Sequence, residues 1–135
     1  MSAEKNKEIV RRVIDEIVNK GELSLADEVL DKNYVYHFPT HDIHGPEGFK
    51  EFVVMMRTAF PDLHVTIEEL IAEGDKVAVR VIMRGTFKSE LMGIAPTGRK
   101  LEFPEAVFVL FKNGKEVEAR AYGNMISFNE QLGIS

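Results

Sequence analysis

Apolar residues recur with two different periods along the chain, and the change falls near Pro61. Before it, apolar residues three and four apart, with charged residues between them, predict amphipathic helices over 5–20 and from Pro46 to about residue 59. A shorter helix is predicted from Ser24, whose hydroxyl can cap free backbone N–H groups, to about Leu30. The aromatic segment 34–38 predicts a short strand, since Pro39 prevents its regular continuation. The first half of the chain therefore combines three helices with one short strand.

After Pro61, β-branched and aromatic residues dominate four segments, and Gly-containing turns separate them. The predicted strands are 63–72, 76–87, 100–111 and 115–128. The joins at 73–75 and 112–115 are short enough for hairpins, whereas 88–99 is a longer loop. Helices followed by a run of strands indicate a single α+β domain over 1–135, with helices covering one face of a curved, mainly antiparallel sheet.

Composition and charge exclude several classes of protein. The chain has no Cys, so neither a disulfide framework nor a thiolate site exists, and we expect a cytoplasmic protein. Seventeen basic and 22 acidic residues are spread without a long run of one sign, which argues against a nucleic-acid partner. No segment approaches the roughly 20 apolar residues of a membrane span, so we expect no membrane contact either.

Short motifs at the joints between the predicted elements follow a specific order. They are Asn19-Lys20-Gly21, His37-Phe38-Pro39, Gly45-Pro46-Glu47-Gly48-Phe49, Phe60-Pro61-Asp62-Leu63, Gly74-Asp75, Gly93 to Arg99, and Gln131-Leu132-Gly133. Together, over nearly the whole chain, they resemble the SnoaL-like polyketide cyclase family of the nuclear-transport-factor-like superfamily. The resemblance implies a cone-shaped sheet around a hydrophobic cavity, a homodimer through the outer sheet face, and aldol-type chemistry that requires no cofactor.

The last predicted strand departs from the family pattern. The family commonly has a Trp and, four residues later, a catalytic Asp, where this chain has Arg120 and Asn124. Strand alternation places Arg120, Tyr122 and Asn124 on one face, which the resemblance makes the pocket face. Asn124 cannot exchange a proton, but it and Tyr122 can donate hydrogen bonds to an enolate oxygen, and Arg120 can bind a carboxylate. On this hypothesis, Asn124→Asp would raise activity on a cyclisable substrate. In the alternative, Arg120 pairs with an acid and Asn124 satisfies backbone groups.

A catalytic base must then come from elsewhere in the chain. His37 is the first candidate, because the resemblance puts its strand near the pocket and His titrates near physiological pH. Its alternative role is a buried ring that hydrogen-bonds to the backbone. Glu105 and Glu118 are weaker candidates, since alternation alone does not decide which of them points inward. Met83 and Met92 are predicted to contribute to an adaptable apolar lining that contacts the substrate, and the alternative role of Met is to fill the core.

The cluster of His37, His41, Asp42 and His44 contains metal-ligand residue types, but its spacing matches no strong metal motif and we predict no metal. The leading hypothesis is a cyclase-related protein that binds a carbonyl-containing small molecule and catalyses aldol-type cyclisation or isomerisation. One alternative is a binding module without catalysis, favoured by the loss of the acid at position 124. Another is a hydrolase or dehydratase in which a carboxylate orients water.

Overall fold

The structure, a computed structural model, describes residues 2–134, in which helices cover one face of a curved six-stranded sheet. The helices are α1 (Ala3–Arg12), α2 (Ala26–Val29), α3 (Gly45–Ala59) and α4 (Met125–Leu132). The strands are β1 (Leu30–His37), β2 (Asp42–His44), β3 (His64–Glu73), β4 (Lys76–Thr86), β5 (Lys100–Lys112) and β6 (Lys115–Gly123), in the spatial order β2-β1-β6-β5-β4-β3. The pairing is antiparallel except between β1 and β6. The predicted α+β class is confirmed. None of the helices in the described part of the chain is long and apolar enough to cross a membrane.

The first helix lies across the sheet and is fixed at both ends. At its start, the Ser2 hydroxyl accepts a hydrogen bond from the backbone N–H of Lys5 at 3.1 Å. Beyond Arg12 it widens into a π-helical segment, Val13–Val18, of a kind that is frequent at functional sites. After this segment, the Asn19 side chain donates to the carbonyl of Val65 on β3 at 2.9 Å and accepts from its N–H at 2.7 Å. These bonds hold the π-helical segment against the sheet.

The segment after the first helix differs in detail from the prediction. Ser24 lies within a single 3₁₀ turn, Leu23–Leu25, and caps neither this turn nor α2. The chain bends sharply at Gly21, whose φ of 76° suits a residue without a Cβ atom. Strand β1 begins at Leu30, earlier than predicted, because Leu30 already has extended dihedral angles of −102° and 138°. Strand β2 was not predicted, and it pairs with β1 after a tight turn.

The four later strands occur close to their predicted positions. Both hairpins are confirmed, and at the second one Asn113 and Gly114 have φ values of 53° and 79°, the pattern of a two-residue type I′ turn. The predicted last strand is too long, because β6 ends at Gly123 and α4 follows it. The Asn124 side chain starts this helix by accepting from the N–H of Ser127 at 3.1 Å. Asn124 is therefore a helix cap and not a strand residue.

Candidate functional site

A mainly apolar cavity of about 100 Å³ lies between the helices and the concave face of the sheet. Side chains of α1, the π-helical segment, α3 and every strand except β2 line it. The aliphatic and Met lining includes Val10, Val13, Ile14, Val18, Val53, Met56, Leu63, Val65, Val79, Val81, Met83, Val107 and Val109. A cavity of this size has room for roughly seven to ten water-sized groups. This is enough space for a skeleton of one or two rings.

Two carboxyl groups line this apolar cavity, and neither side chain is solvated by bulk water. Glu105 on β5 is 9% exposed, and its Oε2 has no hydrogen-bond partner in residues 2–134. Glu116 on β6 is 2% exposed. Burial raises the pKa of Glu105 to about 7 and the pKa of Glu116 to about 8, because the charged form loses its hydration. No Lys, Arg or His of the described residues lines the cavity to offset these charges.

A β-bulge in β6 determines which glutamates face the cavity. Leu110 pairs with Glu118 but the next residue of β5, Phe111, pairs with Glu116, so Val117 is an extra residue in β6. Residues two apart normally share a face, but this insertion places Glu116 on the concave face and Glu118 on the convex face. The sequence did not identify Glu116 as a site residue, because no pattern in the sequence reveals the bulge.

Two tyrosines of β1 complete the polar part of the lining. Tyr34 and Tyr36 are 2% and 7% exposed, and both line the cavity. Burial raises the pKa of each phenol well above its usual value, with further increases from Glu116 near Tyr34 and from both Glu105 and Glu116 near Tyr36. The hydroxyl groups therefore stay protonated and can donate hydrogen bonds at neutral pH.

An aromatic wall extends the site beyond Tyr36. Its ring packs edge-on against Phe49 at 6.0 Å, Phe52 at 5.7 Å and Phe38 at 6.0 Å between centroids. Phe38 also contacts Phe52 at 5.4 Å. All four rings line the cavity, and such mutual contacts restrict their movement. The wall therefore offers a preformed aromatic surface for an unsaturated or cyclic ligand.

His37 does not reach the cavity, which corrects its predicted position. Tyr36 occupies the inward position on β1, so the next residue points away from the cavity. The His37 Nδ1 lies 2.8 Å from Asp42 Oδ1, and its Nε2 lies 3.0 Å from Glu118 Oε2. With a carboxylate at each ring nitrogen, the imidazole has no free site for a substrate proton.

Arg120, Tyr122 and Asn124 also lie outside the cavity. Arg120 and Tyr122 share one face of β6, as alternation predicted, but it is the convex face, because Ala119 and Ala121 occupy the inward positions. Arg120 Nη2 lies 3.7 Å from Glu118 Oε2, and the half-exposed Tyr122 ring packs on Phe108 at 5.9 Å. The Asn124 side chain caps α4.

Some of the remaining candidate residues line the cavity and the others lie on the outer surface of the protein. Met83 is 7% exposed and lines the cavity, as predicted, whereas Met92 is 63% exposed in the loop after β4 and does not. Glu105 faces inward and Glu118 faces outward, which answers the question that alternation left open. Of the residues named from the sequence, Glu105 and Met83 therefore remain at the cavity.

Comparison with known proteins identifies the family to which this chain belongs. The sequence model of the SnoaL-like polyketide cyclase family matches residues 8–132, and the chain belongs to that family. Solved structures are similar over nearly the full length. A candidate SnoaL-like polyketide cyclase from Jannaschia sp. CCS1 has a TM-score of 0.89 at 22% identity, with 98% of this chain and 94% of that chain covered.

Two Streptomyces proteins are similar at 25% identity. IdmH from Streptomyces antibioticus, a candidate polyketide cyclase, has a TM-score of 0.79 over 96% of this chain and 99% of its own. AclR from Streptomyces galilaeus, a candidate hydroxylase, has a TM-score of 0.83 over 98% of both chains. Among curated proteins, none matches this chain. One fold thus carries names from different reaction classes, so the reaction must be argued from the site.

Proposed function

We propose that the cavity binds a small carbonyl-containing molecule and that Glu105 removes a proton from the carbon beside the carbonyl, leading to aldol-type cyclisation or isomerisation. The chain belongs to a family named for polyketide cyclases. The aldol-type chemistry that the family resemblance implies starts with such a proton transfer. The reaction needs only side chains of this chain and no cofactor.

The buried, unpartnered carboxyl of Glu105 is the observation that carries this proposal. A base works best when its pKa is close to the working pH, and burial raises the pKa of Glu105 to about 7. Its Oε2 makes no hydrogen bond within residues 2–134, so a substrate C–H group would compete with no protein donor for that oxygen. The protonated Glu105 can then return its proton to the product.

Tyr36 is the proposed donor for the oxygen on which negative charge develops. Its hydroxyl is buried among apolar side chains, where a hydrogen bond to an enolate oxygen is stronger than in water. Glu105 and Tyr36 line the same cavity, so one small substrate can contact both groups. Met83 would contact the apolar skeleton of the substrate.

Exchange of the protons beside the carbonyl of 1-tetralone for deuterium, followed by proton NMR in deuterium oxide, tests the proposal without knowledge of the natural substrate. We expect the wild type to accelerate exchange and Glu105→Gln to lose roughly 100-fold or more of that rate, since an amide takes up no proton. Glu118→Gln is the matched control on the convex face and should keep the rate. Equal exchange by the wild type and Glu105→Gln would contradict the role of Glu105.

A binding module without catalysis is the second candidate, because the family's acid position holds Asn124, which here caps a helix. The same experiment separates the two functions. Calorimetry that shows 1-tetralone binding, together with exchange no faster than in buffer, would favour the binding module.

We also propose that two copies associate through the convex sheet face. Phe108 and Tyr122 are 54% and 56% exposed there and form an edge-on pair, so their burial between two copies would be favourable. Sedimentation at micromolar concentration should show a dimer that Phe108→Ser weakens, and a monomer for the wild type would contradict this.

We also propose a cytoplasmic location, because a chain without Cys fits the reducing conditions there.

A further inference from the structure

We propose that Glu116 is a second functional carboxyl, which donates a hydrogen bond to an oxygen at the end of the substrate opposite the carbon that Glu105 deprotonates. The inference rests on the proposed function of Glu105 and names the substrate class. The substrate carries two oxygen functions at opposite ends of an apolar skeleton of one or two rings. A ketone with a distal hydroxyl or second carbonyl group is of this class.

The strand register separates the two carboxyl groups along the cavity. Glu105 pairs with Gly123, whereas Glu116 pairs with Phe111, six positions further along β5. Six residues of extended strand span about 20 Å before the curvature of the sheet is considered. Two glutamate side chains on these positions approach the cavity from different ends and do not converge on one substrate atom. A single carbonyl oxygen can therefore occupy only one of the two positions.

The cavity itself connects the two ends. Both glutamates and both tyrosines line the same space of about 100 Å³. Tyr36 on β1 pairs with Ala119 of β6, which in turn pairs with Val109 of β5, a position between Glu105 and Phe111. Tyr36 therefore lies along the strands between the two carboxyl groups and lines the same cavity. A ligand that extends from Glu105 past Tyr36 therefore reaches Glu116.

The surroundings of Glu116 give it a donor role. The side chain is 2% exposed in a lining that contains no basic residue among those described, and burial keeps its carboxyl protonated near neutral pH. A protonated carboxyl has one O–H donor, whereas a carboxylate only accepts. Burial of an unpaired carboxyl is unfavourable, and an apolar residue of similar size would pack there at lower cost. A ligand oxygen in the cavity would accept a hydrogen bond from this O–H group.

Two probes of nearly equal size, 1-tetralone and 6-hydroxy-1-tetralone, test the assignment by isothermal titration calorimetry. We expect the wild type to bind the hydroxylated probe about fivefold more tightly, the usual effect of one added hydrogen bond. Glu116→Gln keeps a donor and should keep most of this preference. Glu116→Leu has no donor and should bind both probes equally, with its affinity for 1-tetralone retained. Glu116→Met is a second apolar variant should Glu116→Leu fail to fold.

Control measurements separate this inference from the proposed function. Glu105→Gln should stop deuterium exchange in both probes but retain the preference for the hydroxylated one. If Glu105→Gln leaves exchange unchanged while Glu116→Leu loses the preference, the role of Glu105 fails and that of Glu116 stands. An equal preference in the wild type and in Glu116→Leu, no preference in the wild type, or no binding of either probe would overturn the assignment of Glu116.

Discussion

The two faces of the sheet carry the same type of side chain in opposite states. On the convex face, carboxylates lie beside basic residues: Glu69 with Arg80 at 3.3 Å, Glu102 with Arg84 at 2.9 Å, and Glu118 with His37 at 3.0 Å and Arg120 at 3.7 Å. On the concave face, Glu105 and Glu116 are buried among apolar residues, with no basic residue of the described chain in the lining. The contrast is sharpest within β6, where Glu116 and Glu118 are two residues apart.

The difference between the two faces indicates which carboxyl groups are available for proton transfer or ligand binding. Exposed pairs are worth at most about 1 kcal/mol, and their carboxylates are already neutralised by a partner. A buried carboxyl without a partner is costly, so its retention is better explained by a role in binding or proton transfer than by stability.

The exchange rate of 1-tetralone should rise with pH through the pKa of Glu105, which burial raises to about 7. At pH 5 only about 1% of such a carboxyl is ionised, so the rate should be roughly 100-fold below its plateau above pH 8. His37→Gln should keep this profile, because the His37 ring lies outside the cavity. A flat profile between pH 5 and pH 9, or one that shifts in His37→Gln, would argue against Glu105 as the base.

The free energy of unfolding should fall as pH rises from about 4.5 to about 8. The pKa of Glu116 is about 8 in the folded protein and near 4.5 when unfolded, so in this range the folded state binds more protons than the unfolded state. Glu116→Gln carries no proton to lose and should be more stable than the wild type at pH 8, by on the order of 3 kcal/mol, and similar to it at pH 4.

Urea denaturation at both pH values measures this difference. Glu118→Gln is the control, since that side chain is exposed and should change stability by less than about 1 kcal/mol at either pH. If Glu116→Gln and Glu118→Gln respond alike to pH, then the two faces do not differ in the way described here.

Substitutions at Asn124 should affect stability and leave chemistry unchanged. Asn124→Ala removes the cap of α4 and should cost about 1 kcal/mol, whereas Asp is an equally good cap and Asn124→Asp should change stability little. Thermal denaturation gives the stabilities, and deuterium exchange gives the activity. This outcome replaces the sequence-based expectation that Asn124→Asp raises activity; a clear rise in the exchange rate of that variant would restore the earlier hypothesis.

The sequence predicted the fold well, because periodicity and turn residues carry that information locally. The helix patterns before Pro61, the strand segments after it and the Asn113-Gly114 turn all have local causes. The end of β6 was missed, because Asn124 fits a strand face as well as a helix cap. Strand β2 was missed because its three residues are too few to show a pattern.

The site was harder to predict, because it depends on which face each strand turns inward. Alternation placed Arg120 and Tyr122 together correctly, but only tertiary packing decides that their face is convex. Because Val117 is an extra residue in β6, Glu116 and Glu118 lie on opposite faces of the sheet although they are two residues apart. The sequence did not show to which side of the sheet the Glu105 side chain points, and the structure shows that it lines the cavity.

Carbon-13 NMR titration of the glutamate side-chain carboxyl groups tests whether the carboxyl groups of the concave face are protonated near neutral pH, since it follows each carboxyl through its own protonation. We predict two resonances that titrate near pH 7 and pH 8 in the ligand-free protein, the first lost in Glu105→Gln and the second in Glu116→Gln. If the resonances of Glu105 and Glu116 titrate below about pH 5, as solvated glutamates do, the concave face holds ordinary carboxylates and the account is contradicted.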